Sequence, residues 1–173
     1  MADRQYLLYN IIWYNNIRRM IDMIEIYTDG SCKGNGTDNA LGGWAAIVYI
    51  DGVIKSVSAG TEKNSTNNIC ELKPIIWAAG HYGDRHPTVY TDSAYAFNAL
   101  TNWRHAWKAN GWRRKNNGEI KNLEYIQAFD KLESMGLTIN LVKVKGHANC
   151  KGNILADKLA TGEMTISQVM DSQ

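Results

Sequence analysis

The chain has 173 residues, enough for one domain with a sizeable core and too few for two ordinary ones. Its charged and apolar fractions, 21% and 45%, are those of a globular protein and exclude a disordered or fibrous one. The formal net charge is only +2, but the segment from Thr101 to Lys121 gathers Arg104, Lys108, Arg113, Arg114, Lys115 and Lys121 against the single acid Glu119, and the remainder is net acidic. That asymmetry asks for an anionic partner. Cys32, Cys70 and Cys150 are odd in number and lack a CxxC spacing, so neither a disulfide framework nor a zinc site is indicated and a reducing cytoplasm fits best. No apolar run is long enough to span a membrane.

Residues 1–22 read as an extension. They hold an aromatic and aliphatic run, Tyr6 to Tyr14, followed by Arg18 and Arg19, with Met23 directly before the first strand. The order of apolar and basic residues is wrong for a signal peptide. A docking amphipathic helix, a flexible appendage and a stretch upstream of the true start all remain open. Residues 23–162 read as the domain proper, and 163–173 as a tail without a strong pattern.

Ile24-Glu25-Ile26-Tyr27-Thr28-Asp29 alternates with period 2, which predicts a strand that delivers Asp29 to its C-terminal end before Gly30, Gly34 and Gly36. In open α/β sheets that edge is the usual place for ligands. Gly34-Asn35-Gly36 begins like a dinucleotide fingerprint, but a strand rather than a helix follows, so we reject that reading. Gly43 to Ile50 predicts an apolar strand, Asp51-Gly52 a two-residue hairpin turn, and Val53 to Thr61 its partner. Ser65 to Asn68 supplies N-cap candidates for a helix whose stripe is Ile69, Leu72, Ile75, Ile76 and Ala79, ending at Gly80 or Gly83. Pro74 inside it should bend it. Thr88 to Asp92 predicts a second strand ending in aspartate, and Ser93 to Leu100 a helix. Trp103, Trp107 and Trp112 interleave with the basic residues; we expect the first two mainly to pack and Trp112 to face a ligand. Leu123, Ile126, Phe129 and Leu132 mark a helix closed by Gly136, Leu137 to Val144 a strand, and Ile154 to Ala160 a last helix after a polar loop.

Three strands joined by short turns, followed by strands separated by helices, predict a mixed five-stranded α/β sheet in the order 3-2-1-4-5. Strand 1 then lies beside strand 4, and Asp29 beside Asp92. Glu71 near the start of the first long helix and Asp157 on the last one are the other well-placed acids. Converging carboxylates repel unless a cation is present, and an all-oxygen set suits Mg²⁺ or Mn²⁺ rather than zinc. A pair of such ions can drive an in-line displacement at phosphorus.

Four motifs in order carry a family resemblance: Tyr27-Thr28-Asp29-Gly30-Ser31, Thr66-Asn67-Asn68-Ile69-Cys70-Glu71-Leu72, Tyr90-Thr91-Asp92-Ser93, and Lys145-Gly146-His147 followed by Asn153 and Asp157. From Met23 to about Gly162 the chain resembles a type 1 ribonuclease H of the bacterial kind. The resemblance implies the ribonuclease H-like fold and a monomeric endonuclease that hydrolyses the RNA strand of RNA/DNA hybrids, leaving 5′-phosphate and 3′-hydroxyl ends. It implies two Mg²⁺ ions, with Mn²⁺ as a substitute: Asp29 bridging both, Glu71 and Asp92 completing the site facing the leaving oxygen, and Asp157 binding the ion that orients water. It makes His147 the residue that assists proton transfer or product departure, and Asn153 the support of its loop. Asn35, Asn67 and the backbone near Cys32 match contacts to the RNA minor groove; Thr66 and Asn68 match a pocket for a DNA phosphate and neighbouring hybrid contacts. The segment Trp103 to Lys115, with Lys108, Trp112, Arg113, Arg114 and Lys115, resembles the family's DNA-gripping basic protrusion. Ala94, where many bacterial members carry Gln, and Pro74 depart from the pattern. Two other readings compete: another nuclease or strand-transfer enzyme on the same fold, and a non-catalytic hybrid-binding module.

Overall fold

A computed structural model of the chain describes residues 22–146 and 150–172. The expectations placed on residues 1–21 and on His147 lie outside these. Strand β1 (Ile24–Lys33) pairs antiparallel with β2 (Leu41–Ile50), and β2 with β3 (Val53–Lys63). The β2–β3 turn is the expected tight one, with Asp51 at φ 53° and Gly52 at φ 79°. Helix α1 (Asn67–Tyr82) leads through a 3₁₀ turn at Gly83–Arg85 to β4 (Thr88–Thr91), which pairs in parallel with β1, and β5 (Asn140–Lys143) pairs in parallel with β4. The sheet has five strands in the order β3-β2-β1-β4-β5, as the sequence implies.

Helices cover both faces of the sheet. Ile26, Val48, Val89 and Ile24 pack beneath α1, α2 (Ala94–Asn98) and α4 (Leu123–Ser134) through Leu72, Ile75, Ala96, Ile126 and Phe129, joined by Leu100 just after α2. On the other face Ala45, Ile47 and Ile54 meet Leu155 and Leu159 of α5 (Lys151–Ala160) and Val169 of α6 (Ile166–Asp171). The apolar run in β2 follows from this, since β2 is an interior strand buried on both faces.

Four expectations need correction. Strand β1 does not end at Asp29; it runs on to Lys33 because β2 continues alongside, and only the pairing with β4 stops at Thr28. The predicted helix at Ser93 continues through a π-turn at Ala99–Trp103 into α3 (Arg104–Ala109). The last strand is short, four residues, because β4 offers only four partners. The segment after Gly162 forms α6, whose Thr165 and Gln168 make reciprocal cap hydrogen bonds while Val169 is fully buried. Pro74 lies buried within the 16-residue α1.

Candidate active site

Each acid is carried to one place by a different element. Asp29 follows Thr28, whose Oγ1 donates to the Tyr90 carbonyl at 2.9 Å and locks β1 against β4 one residue before the carboxylate. Asp92 follows the last residue of β4. Glu71 comes from the second turn of α1, a helix started by the Thr66 side chain accepting from the Ile69 N–H at 3.3 Å. Helix α1 reaches the strand only because residue 30 is glycine: a Cβ there would lie 2.3 Å from the Cys70 carbonyl carbon and 2.5 Å from the Glu71 nitrogen. Asp157 comes from α5, whose first turn lies flat on the Tyr27 ring at Gly152, where a Cβ would stand 2.3 Å from the ring.

One carboxylate oxygen each from Asp29, Glu71 and Asp92 lie within 4.8 Å of one another. Asp29 is buried and accepts the Gly30 N–H at 2.7 Å. Burial first, then the charges of Asp92 and Asp157, push its carboxyl up to about 7, despite the opposing effect of the Gly30 N–H. Burial and the charges of Asp29, Asp92 and Asp157 push Glu71 further, to about 9. Glu71 Oε2 is buried without a hydrogen-bond partner among the described residues. An orphaned carboxylate oxygen, an all-oxygen donor set and mutual repulsion together fit a hard divalent cation, which would satisfy all three. Gly146, just beyond β5, lies against the Asp92 carboxylate, where a Cβ would stand 3.0 Å from Oδ2.

The expected nucleic-acid contacts fall in two groups. Asn35 Oδ1 accepts from the Asn67 N–H at 3.1 Å, and the Cys32 thiol donates to the Ser65 carbonyl at 3.3 Å. Cys32, Asn35, Thr66, Asn67 and Asn68 thus form one surface between the β1–β2 turn and the start of α1, adjoining Glu71. Farther away, Asn102, Trp103, Trp107, Arg113, Arg114 and Lys115 line a hollow of about 500 Å³. Trp103 is 41% exposed, yet its ring packs on Trp107 and Tyr95 with centroids 5.7 and 6.2 Å away; Trp112, expected to face a ligand, packs against the core. The reason is a backbone reversal at Gly111 and Trp112, both at positive φ, which turns the Trp112 ring inward while its N–H bonds the Trp107 carbonyl at 2.7 Å. Arg113, Arg114 and Lys115 are exposed and make no ion pair among the described residues. Lys108 is held by Asp130 at 2.7 Å, and Arg104 is buried, so neither charge is free. Asn153 is buried inside α5 rather than capping it, and its Oδ1 has no partner among the described residues.

Sequence reasoning missed two supporting positions. Gly30 stands in the sequence simply as one of the glycines after Asp29, but the space beside it is taken by α1. Gly152 drew no notice, although a glycine in a helix's first turn is the mark of close packing.

A mixed sheet that brings strand-end and helical carboxylates together in this order defines a ribonuclease H-like nuclease fold. Solved structures agree. The isolated RNase H domain of prototype foamy virus superposes with a TM-score of 0.69 at 23% identity, covering 82% of this chain and 93% of that one, which speaks to the fold alone. LC9-RNase H1, described as a type 1 RNase H with the type 2 active-site motif, has a TM-score of 0.69 at 32% identity over 83% of this chain and 74% of that one. In sequence, the RNase H family profile matches residues 22–165. Ribonuclease H of Acetivibrio thermocellus is 43% identical over 82% of this chain and 94% of its own length, and that of Francisella philomiragia 42% over 78% and 86%. The chain belongs to the ribonuclease H family, as a type 1 member of the bacterial kind.

Proposed function

We propose that this nuclease hydrolyses the RNA strand of RNA/DNA hybrids internally, leaving 5′-phosphate and 3′-hydroxyl ends, in the cytoplasm and as a monomer. The observation that carries the reading is the carboxylate set of Asp29, Glu71 and Asp92, joined by Asp157, beside an amide-rich surface that can touch both strands of a duplex. Asp29, Glu71 and Asp92 would hold one Mg²⁺, and Asp29 with Asp157 a second; Mn²⁺ has the same oxygen preference. Such ions, when bound, supply charge stabilisation at a phosphodiester and lower the pKa of an attacking water.

The chain's own groups do the rest. Asn35, Asn67 and the backbone near Cys32 present amide donors and acceptors to 2′-hydroxyls, the groups that distinguish RNA from DNA. Thr66 and Asn68 place hydroxyl and amide groups by a DNA phosphate, and a threonine whose oxygen accepts a helix N–H keeps its own O–H to donate to a phosphate oxygen. Trp103, backed by the rings of Trp107 and Tyr95, offers a sugar or base an exposed face, and Trp112 packs against the core; Arg113, Arg114 and Lys115 neutralise phosphates of the DNA strand. Lys108 contributes through its hold on Asp130. His147 takes or returns the proton at the reacting oxygen, and Asn153 holds its loop. Attack by water in line with the 3′-oxygen breaks the P–O3′ bond and leaves the phosphate on the 5′ end.

The test is cleavage of three matched duplexes with Mg²⁺ present. RNA in the hybrid should be cut, and RNA duplex and DNA duplex left largely intact; equal cutting of all three would overturn the substrate assignment.

A further inference from the structure

Arg104 belongs by sequence to the basic run, yet only 4% of it is exposed. It stands where the π-turn returns to α-helix. Its backbone N–H donates to the Ala99 carbonyl, five residues back, so the Leu100 carbonyl loses the donor that an α-turn would supply. The Arg104 side chain repairs that loss, its Nε donating to the same Leu100 carbonyl. The fork beyond it reaches α4: Nη1 donates to Asp130 at 3.1 Å, Nη2 donates to Glu133, and the guanidinium lies 5.1 Å from the Phe129 ring centroid. Lys108, one turn on, takes the other oxygen of Asp130. Helix α4 itself packs on α1, which carries Glu71. A single side chain therefore links the π-turn at the root of the basic unit to the helix layer that positions the acids.

Buried ion pairs add little net stability over apolar packing, but they fix register well, because any other register strands a charge. Arg is suited to this by its planar, multiply donating fork. We propose that Arg104 is a positioning residue: it locks the π-turned helix onto α4 and so fixes the direction in which Trp103 and Arg113 to Lys115 face the substrate. This rests on the functional reading above.

The helical run from Asp92 to Asn110 spans roughly 25 Å at about 1.5 Å per residue, or some 7 to 8 base steps at about 3.4 Å. A hybrid of about 20 base pairs reaches both acids and basic unit, whereas one of about 6, closed by a loop, reaches the acids alone. Arg104→Met should raise KM on the long hybrid by about tenfold with kcat within about twofold, as expected when a positioning contact is lost, and leave KM on the short hybrid unchanged. Arg104→Lys should recover part of the loss. In a background with Arg113, Arg114 and Lys115 all changed to Ala, Arg104→Met should add much less than its tenfold loss in KM, the remainder being what Trp103 contributes. Should Arg104→Met fail to fold, Glu133→Gln, which keeps the arginine in place, should show the same length dependence at smaller amplitude. A rise in KM equal on both hybrids, an additive effect in the triple-Ala background, or a lowered melting temperature with KM unmoved would overturn the proposal. Failure of the unaltered chain to cut either hybrid would instead overturn the reading of function beneath it.

Discussion

Asp29 and Glu71 are held in places that disfavour their own ionisation. In the unfolded chain they titrate near the ordinary carboxylate values of 3.8 and 4.5; in the folded, metal-free protein burial and mutual repulsion raise them to about 7 and about 9. A raised folded value means stability that is complete below the unfolded value and lost as pH climbs through the folded one. The metal-free protein should therefore melt at higher temperature near pH 5 than near pH 9, and Mg²⁺ should recover more of the difference at the higher pH; a flat melting profile would contradict this. Asp29→Asn keeps an acceptor for the Gly30 N–H and removes one charge. It should abolish turnover, leave hybrid binding measurable, and raise metal-free stability at pH 8 by about 1–3 kcal/mol, as thermal melts would read it. Wild-type turnover in that variant would remove Asp29 from the site. These acids are legible in the sequence because each ends a strand pattern or sits on an apolar helix stripe. That converging carboxylates push one another up is legible too; the larger contribution of burial is not, since it depends on how deeply α1 buries Glu71.

The elements meet through two glycines that hydrophobic patterning does not single out. At residue 30 the strand touches the Cys70–Glu71 peptide, and any Cβ would overlap it. Gly30→Ala should cost about 1–3 kcal/mol of stability by overpacking and displace Glu71 from its partners, lowering kcat by at least tenfold while hybrid affinity changes little. Unaltered kcat would show that α1 can retreat without moving the carboxylate. Strand order was legible from Asp51-Gly52 and from the long helical crossovers, because turn chemistry and crossover handedness leave few topologies. The continuation of β1 past Asp29 was not, since Ser31-Cys32-Lys33 reads as loop and becomes strand only beside β2. The π-turn has no sequence signature, because the side chain that satisfies its orphaned Leu100 carbonyl, Arg104, reads in the sequence as one more member of the basic run. Helix α6 is different: its Thr165 and Gln168 carry the capping-box spacing, but six residues with one buried valine make too weak a stripe to read.

At the scale of the whole molecule, the modest net charge conceals a division between cations that hold the protein together and cations left for a polyanion. Arg104 and Lys108 are neutralised by Asp130 and Glu133 on α4, whereas Arg113, Arg114 and Lys115 stand exposed beside the hollow under Trp103. A count of basic residues along the sequence cannot make this distinction, because their acidic partners lie 22 to 29 positions away. The salt dependence of hybrid binding can. Each phosphate neutralised contributes about 0.7 to 0.9 to the slope of log K against log salt. Changing Arg113, Arg114 and Lys115 together to Ala should weaken binding and lower that slope by about 2. Lys108→Ala should leave the slope nearly unchanged, because Lys108 already has its counter-charge in Asp130 and releases no ion from the nucleic acid. If Lys108→Ala flattened the slope by a full contact, the ion pair would have to open on binding, and the basic unit would then grip with four cations rather than three.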